Sequence, residues 1–103
     1  MRTITFIGGG NMARSLIGGL VARGHAPEQI RVAEPVEALR EGLSRDFGVA
    51  VFTDNRLAAN AAEVIVLAVK PQAMGSVCHG IADLVAAQDP LIVSIAAGIR
   101  LDN

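Results

Sequence analysis

The sequence predicts an α/β fold in which a doubly wound parallel sheet carries helices on both faces. Short apolar segments rich in Val and Ile alternate with helical segments along the 103 residues. Hydrophobic residues make up 51% of the chain and aromatic residues only 3%, which is typical of buried parallel strands and the helices above them. A glycine-rich turn after the first apolar segment makes the pattern Rossmann-like. No linker or repeat divides the sequence, so we expect one domain, residues 1–103.

In the first half of the chain, the pattern predicts three strands and two helices. The strands are expected at residues 3–7, 30–33 and 49–52, and the helices at residues 11–23 and 36–47. Gly24 and Gly48 stand where left-handed helix caps belong. Gly18 and Gly19 lie inside the first helix, where each costs roughly 1 kcal/mol relative to alanine. We therefore expect a close backbone approach at these two glycines.

The second half of the chain continues the alternation of predicted strands and helices. Asp54 or Asn55 can cap a short helix that runs to residue 61. Residues 64–69 give the strongest strand signal and predict a central strand. Pro71 suits the first turn of a helix that reaches about residue 87, and residues 91–95 predict the last strand before a small turn at residues 96–98.

Composition and residue spacing argue against several classes of function. The net charge is −1 without a basic run, so we expect no nucleic-acid partner. No apolar run is long enough to span a bilayer, and the lone Cys78 fits a reducing cytoplasm. His25 and His79 have no ligand spacing around them, so we expect no metal. We also find no catalytic constellation and name no catalytic residue.

The turn Gly8-Gly9-Gly10-Asn11-Met12-Ala13 matches G-x-G-x-x-A between a predicted strand and a predicted helix. Gly8 permits the tight turn, and Gly10 lets backbone N–H groups approach a pyrophosphate. Ala13 keeps the helix close to the sheet, and the helix dipole favours the anion. This turn therefore predicts a dinucleotide site.

Glu34 ends the second predicted strand, 21 positions after Ala13. An acidic side chain near this position hydrogen-bonds the adenine ribose of NAD and repels the 2′-phosphate of NADP. Arg31 and Arg40 could instead hold a phosphate, and Glu34 could simply be a solvated strand-end carboxylate. The sequence therefore indicates NADP or NAD and leaves the preference open.

Two later segments follow predicted strands and match a known family together with the glycine turn. Ligands of open α/β sheets bind beyond the carboxyl ends of strands, so both segments should face the cofactor, and Lys70 could donate to a ribose or phosphate oxygen. Together, the match rests on four segments, of which the last two are these later ones: Phe6-Ile7-Gly8-Gly9-Gly10-Asn11-Met12-Ala13, Leu16-Ile17-Gly18-Gly19-Leu20, Leu67-Ala68-Val69-Lys70-Pro71-Gln72 and Val93-Ser94-Ile95-Ala96-Ala97-Gly98. Over its whole length, the chain resembles the start of pyrroline-5-carboxylate reductase.

The resemblance implies a function and a domain organisation. In that family the first domain binds NAD(P)H for the reduction of 1-pyrroline-5-carboxylate to L-proline, an oxidoreductase step of proline biosynthesis. A following helical domain forms the dimer and supplies most of the imino-acid site. We expect that domain to be absent here and the isolated chain to be inactive.

The resemblance also implies a set of cofactor contacts. Many relatives have a small polar residue at the position of Glu34 and accept NADPH, so the carboxylate bears on cofactor choice. The implied cofactor-binding residues are Ile7, Gly8, Gly9, Gly10, Asn11, Met12, Glu34, Val36, Asn55, Ala68, Val69, Lys70, Pro71, Ala96 and Ala97.

Other functions share the same opening pattern. β-Hydroxyacid dehydrogenases and deazaflavin-dependent NADP reductases begin with a similar strand, turn and helix. A module that senses NAD(H) without catalysis is a further alternative, because the sequence lacks a catalytic constellation.

Overall fold

A computed structural model describes residues 2–95, which form a five-stranded sheet with helices on both sides. The strands are β1 (Ile4–Ile7), β2 (Ile30–Ala33), β3 (Ala50–Phe52), β4 (Val64–Leu67) and β5 (Leu91–Ser94). The α-helices are α1 (Asn11–Ala22), α2 (Glu37–Phe47), α3 (Asn55–Ala59) and α4 (Pro71–Gln88). A short 3₁₀ helix that the pattern did not predict, Pro27–Gln29, leads into β2.

The strands are all parallel and follow the order β3-β2-β1-β4-β5, which confirms the doubly wound fold. The prediction that β4 is a central strand is confirmed, because β4 lies between β1 and β5, while β1 holds the middle of the sheet. Both strands are buried on both faces, so an apolar run predicts an interior position without specifying which one.

Two hydrophobic clusters lie on opposite faces of the sheet. Phe6 and Val66 point towards α1 and α2, where Ile17 and Leu43 meet them. Alternate strand residues point the other way, towards α3 and α4. The second cluster consists of Ile7, Ala33, Ala58, Ala59, Ala62, Ile65, Leu67 and Ile81.

Two close contacts hold helices to the rest of the fold. The fully buried Thr5 hydroxyl donates a hydrogen bond of 2.6 Å to the Ala58 carbonyl and so attaches α3 to β1. A methyl group at Gly18 would lie 3.3 Å from Cζ of Phe47, so the ring of Phe47 packs closely on the backbone of Gly18, as expected. The same expectation was wrong for Gly19, where a methyl group would meet no atom within 4 Å.

Several element boundaries differ from the predicted ones by one or two residues. Val36 has extended backbone and caps α2 rather than belonging to it. The left-handed Ala61, at φ 62°, lies beyond the end of α3. The strands are also shorter than predicted: β1 and β3 each begin one residue later, β4 ends two residues earlier and β5 one residue earlier. Asp54 provides the predicted cap, since its carboxylate accepts from the backbone N–H groups of Arg56 and Leu57.

An exposed ion pair joins α3 to α4 and predicts a pH dependence. The Arg56 guanidinium lies 2.6 Å and 2.9 Å from the two Asp83 carboxylate oxygens, and this hydrogen bonding lowers the pKa of Asp83 from 3.8 to about 2. Since the pKa is depressed in the folded state, the pair stabilises the fold above about pH 4 and loses its effect as the pH falls towards 2. We expect Asp83→Asn to lower the melting temperature slightly at neutral pH, with a difference from the wild type that closes over that range. A difference that is independent of pH and of salt would contradict this.

Candidate functional site

The carboxyl ends of the central strands meet at one edge of the sheet. Ile7 is in register with Ala33 of β2 and with Leu67 of β4. The pairing continues one residue further, because Gly8 N donates to the Ala33 carbonyl and Ala68 N to the Ile7 carbonyl, both at 2.8 Å. The glycine turn and the segments after β2 and β4 are therefore adjacent, as the sequence predicted.

The first two glycines of the turn are enclosed by neighbouring atoms. Gly8 has φ +103°, and a methyl group there would overlap the Ala68 carbonyl, reaching 2.9 Å from its carbon. A methyl group at Gly9 would come within 3.0 Å of Leu43 Cδ1 and 3.2 Å of Glu34 Cβ. These two positions set the path of the backbone between β1 and α1.

The third glycine, in contrast, opens onto unfilled space. A methyl group at Gly10 would meet nothing within 4 Å. Gly10 is also the N-cap of α1 without a side-chain cap, so the first N–H groups of the helix are directed at this space. Ala13, only 1% exposed, lets α1 lie directly against the sheet. An uncapped helix N-terminus above a residue without a side chain fits the pyrophosphate of a dinucleotide.

Glu34 is neither a solvated carboxylate nor an open ribose ligand, although the sequence offered both readings. The residue is only 7% exposed. Its Oε1 accepts a hydrogen bond of 2.8 Å from Gly9 N, and its Oε2 accepts one of 3.0 Å from Val36 N. The side chain therefore connects the glycine turn to the loop after β2. No sequence signal pointed to these bonds, because they depend on the close approach of two loops.

The two arginines that could have held a phosphate are bonded to backbone carbonyls. The Arg31 guanidinium donates to the carbonyls of Asn60 and Ala58, beside α3. The Arg40 guanidinium donates to the carbonyls of Glu34 and Pro35, at 2.9 Å and 2.8 Å. Arg40 is thus held beside the loop after β2, and Arg31 is directed away from it.

The other predicted cofactor-binding residues that the structure describes lie at the same edge of the sheet and differ in exposure. The Ile7 side chain is buried, so only its backbone could contact a cofactor, while Met12 and Val36 are 42% and 50% exposed. Lys70 is the exposed N-cap of α4, and the adjoining Pro71 is its first residue, as predicted. Other members of the set lie at the edge as well: Asn11 opens α1, Asn55 opens α3, and Ala68 and Val69 follow β4. Ala96 and Ala97 lie outside the described residues, and every cofactor contact stays a prediction.

Two apolar grooves flank β5, away from the glycine turn. One lies against α4 and is lined by Leu67, Ile81 and Ile92 among others, and the second lies against α1 beside Val66 and Val93. They are open because all four residues of β5 are exposed. Among residues 2–95, no helix combines the length and hydropathy needed to traverse a lipid bilayer.

Comparison with known proteins places this geometry in a family. The model of the family described as "NADP oxidoreductase coenzyme F420-dependent" matches residues 3–98. The chain belongs to this family. The match includes the strand, glycine turn and helix that form the candidate site, together with all five strands of the sheet.

Within that family, the chain is most informatively compared with individual proteins of known name. The chain is 45% identical to a pyrroline-5-carboxylate reductase of Vibrio alginolyticus over 105 residues, covering 99% of this chain and 38% of that protein. A solved pyrroline-5-carboxylate reductase from Coxiella burnetii superposes with a TM-score of 0.90 at 39% identity, covering 98% of this chain and 37% of that one. The resemblance inferred from the sequence is therefore confirmed, and the chain spans under two-fifths of the length of these relatives.

A third similar structure bears on the cofactor. The V8 variant of an imine reductase from Myxococcus stipitatus, in complex with NAD⁺, has a TM-score of 0.75 and 25% identity, and the match covers 95% of this chain and 33% of that one. The family description names NADP. Both nicotinamide dinucleotides thus occur among proteins similar to this chain.

Proposed function

We propose that this chain is the cofactor-binding domain of an enzyme that reduces 1-pyrroline-5-carboxylate to L-proline with NADH or NADPH. The observation that carries the proposal is the glycine turn, in which Gly8 and Gly9 are enclosed and Gly10 is open at the uncapped end of α1. The similarity to pyrroline-5-carboxylate reductases along nearly the whole chain supports the choice of substrate.

The residues at the carboxyl edge of the sheet then have separate roles in binding the dinucleotide. The first N–H groups of α1 bind the pyrophosphate above Gly10, and the helix dipole adds to the attraction. Ala68, Val69 and Lys70 border the cofactor from the neighbouring strand, where Lys70 is exposed and free to reach an anionic oxygen. When bound, the nicotinamide supplies the hydride, and the chain's own task is to fix its position.

The rest of the active site is proposed to come from protein outside this chain. A helical domain, as in the family it resembles, would close over the nicotinamide, bind the imino acid and form a homo-oligomer in the cytoplasm. The exposed aliphatic surface of β5, with Leu91 56% exposed, supports a second wall of protein beside the sheet. The helical domain over the nicotinamide, rather than the protein beside β5, would exclude water from the reacting carbon.

Calorimetric titration of the purified chain with NADH and NADPH tests the proposal. We expect at least one dinucleotide to bind with one site per chain, and 5′-AMP to bind more weakly because it lacks the pyrophosphate. We also expect negligible turnover of pyrroline-5-carboxylate by this chain alone, followed by the absorbance of the reduced nicotinamide. A folded chain that binds neither dinucleotide would refute the proposal, and robust turnover would refute the need for a second domain.

A further inference from the structure

We propose that Arg40 is a positioning residue of the dinucleotide site, which acts through the loop after β2 on the glycine turn and not as a ligand of a 2′-phosphate. The inference rests on the proposed function, since it assumes that the glycine turn binds a dinucleotide. It goes further by assigning a role in binding to a side chain outside the turn. The pyrophosphate is common to NADH and NADPH, so this role concerns both cofactors alike.

The first step is the attachment of the loop after β2 to the helix that follows it. Arg40 is the fourth residue of α2, and its Nη1 donates hydrogen bonds of 2.9 Å and 2.8 Å to the Glu34 and Pro35 carbonyls. Pro35 and Val36 are exposed, and Val36 provides no side-chain cap for α2. An exposed loop of this kind has little packing to fix its conformation. The Arg40 guanidinium therefore supplies a restraint that packing does not.

The second step is the connection from this loop to the glycine turn. The Glu34 backbone is held on both sides, because its N donates to the Phe52 carbonyl at 2.9 Å and its carbonyl accepts from Arg40. The Glu34 carboxylate in turn accepts from Gly9 N at 2.8 Å and from Val36 N at 3.0 Å. A shift of the Glu34 backbone would therefore lengthen or misalign the hydrogen bond to the glycine turn.

The third step concerns what α2 contributes to the turn directly. Leu43 lies one helical turn after Arg40, is 1% exposed, and packs so closely that a methyl group on Gly9 would come within 3.0 Å of its Cδ1. Such an apolar contact limits the approach of the two segments but leaves the direction of an N–H group free. The hydrogen bond from Gly9 N to Glu34 does fix that direction. Arg40 thus helps to orient the backbone that leads into the N-terminus of α1.

The two roles that the sequence allowed for Arg40 predict different effects on the cofactors. A guanidinium that binds the 2′-phosphate contributes to the affinity for NADPH alone, because NADH lacks this group. A residue that orients the glycine turn contributes equally to both, because the turn binds the shared pyrophosphate. The hydrogen bonds from Arg40 to two backbone carbonyls favour the second role.

The first test is calorimetric titration of the wild-type chain and Arg40→Met with NADH and NADPH. Methionine keeps the aliphatic length and removes the donors, so we expect both affinities to fall by about five- to tenfold while their ratio stays within about twofold. Arg40→Ala should act in the same way, and Arg40→Lys should recover most of the loss because it keeps a charged donor. The matched control is Arg45→Met, since Arg45 lies further along α2 and donates to Asp46. This control should leave both affinities unchanged.

Amide hydrogen exchange tests the same inference without a cofactor. The Gly9 N–H should exchange about tenfold faster in Arg40→Met than in the wild type, because its hydrogen bond to Glu34 opens more often. The Gly48 N–H, which bonds to the Ser44 carbonyl at the far end of α2, should keep its rate. Equal acceleration at Gly9 and Gly48 would indicate a general loss of stability and overturn the positioning role.

Two results of the titrations would also overturn the inference. One is a loss of affinity confined to NADPH, which would make Arg40 a phosphate ligand, and the other is unchanged affinity for both cofactors in folded Arg40→Met. Failure of either cofactor to bind the folded wild type would instead overturn the proposed function. The exchange rates of Gly9 and Gly48 would in that case still decide whether Arg40 orients the turn.

Discussion

Gly8→Ala is expected to lower the free energy of unfolding by about 3 kcal/mol, the largest effect of any single methyl group in the turn. The backbone at Gly8 has φ +103°, which an L-residue adopts only at a cost. The added methyl group would also overlap the carbonyl of Ala68, a residue whose own N–H is fixed by a hydrogen bond to the Ile7 carbonyl. Because both β1 and β4 are interior strands, neither can shift to make room.

Urea denaturation followed by circular dichroism measures this effect, with Gly19→Ala as the control. Gly19 lies within α1, where a methyl group meets nothing within 4 Å, so that variant should keep or gain stability by up to about 1 kcal/mol. Equal stabilities for the Gly8 and Gly19 variants would show that the turn can relax around the methyl group.

Gly10→Ala should separate binding from folding. Its backbone is extended, with φ −76° and ψ −166°, and its surroundings are open, so the fold should lose about 1 kcal/mol or less. The methyl group would, however, stand where the pyrophosphate must approach the first turn of α1. We expect dinucleotide affinity to fall by about tenfold or more, since the charge-assisted hydrogen bonds there lengthen or break.

Calorimetric titration of the Gly10 variant beside Gly19→Ala and the wild type provides the measurement. The Gly19 variant should bind as the wild type does, because that residue lies on a later turn of α1 and not at its N-terminus. An unchanged affinity in a folded Gly10→Ala chain would mean that the pyrophosphate does not lie above this residue.

The sequence predicted the fold where local patterns decide it. The strands, the four helices and the glycine turn follow from periodicity and from turn residues whose effects extend over a few positions. Asp54 and Pro71 mark their helix starts for the same reason. The order of the strands was harder to predict from the sequence, because β1 and β4 are similarly buried and their places in the sheet depend on connections along the whole chain.

The candidate site was predictable in location but not in detail. Parallel strands bring their carboxyl ends together, so the sequence placed Gly8, Glu34 and Ala68 at one edge correctly. The bonds from Gly9 and Val36 to Glu34 were not predictable, because they depend on the distance between two loops in space. The hydrogen bonds from Arg31 to the carbonyls of Ala58 and Asn60 were missed for the same reason.

The position of β1 in the sheet has a consequence for synthesis of the protein on the ribosome. Ile4 pairs with Ile30 on one side and with Val64 on the other, so the second edge of β1 stays open until β4 has been translated. During that interval the nascent chain exposes an apolar strand edge that another chain could pair with. Slow translation between β2 and β4 should therefore increase aggregation of this protein, and a pause between β4 and β5 should act in the same way, because β4 then has the open edge.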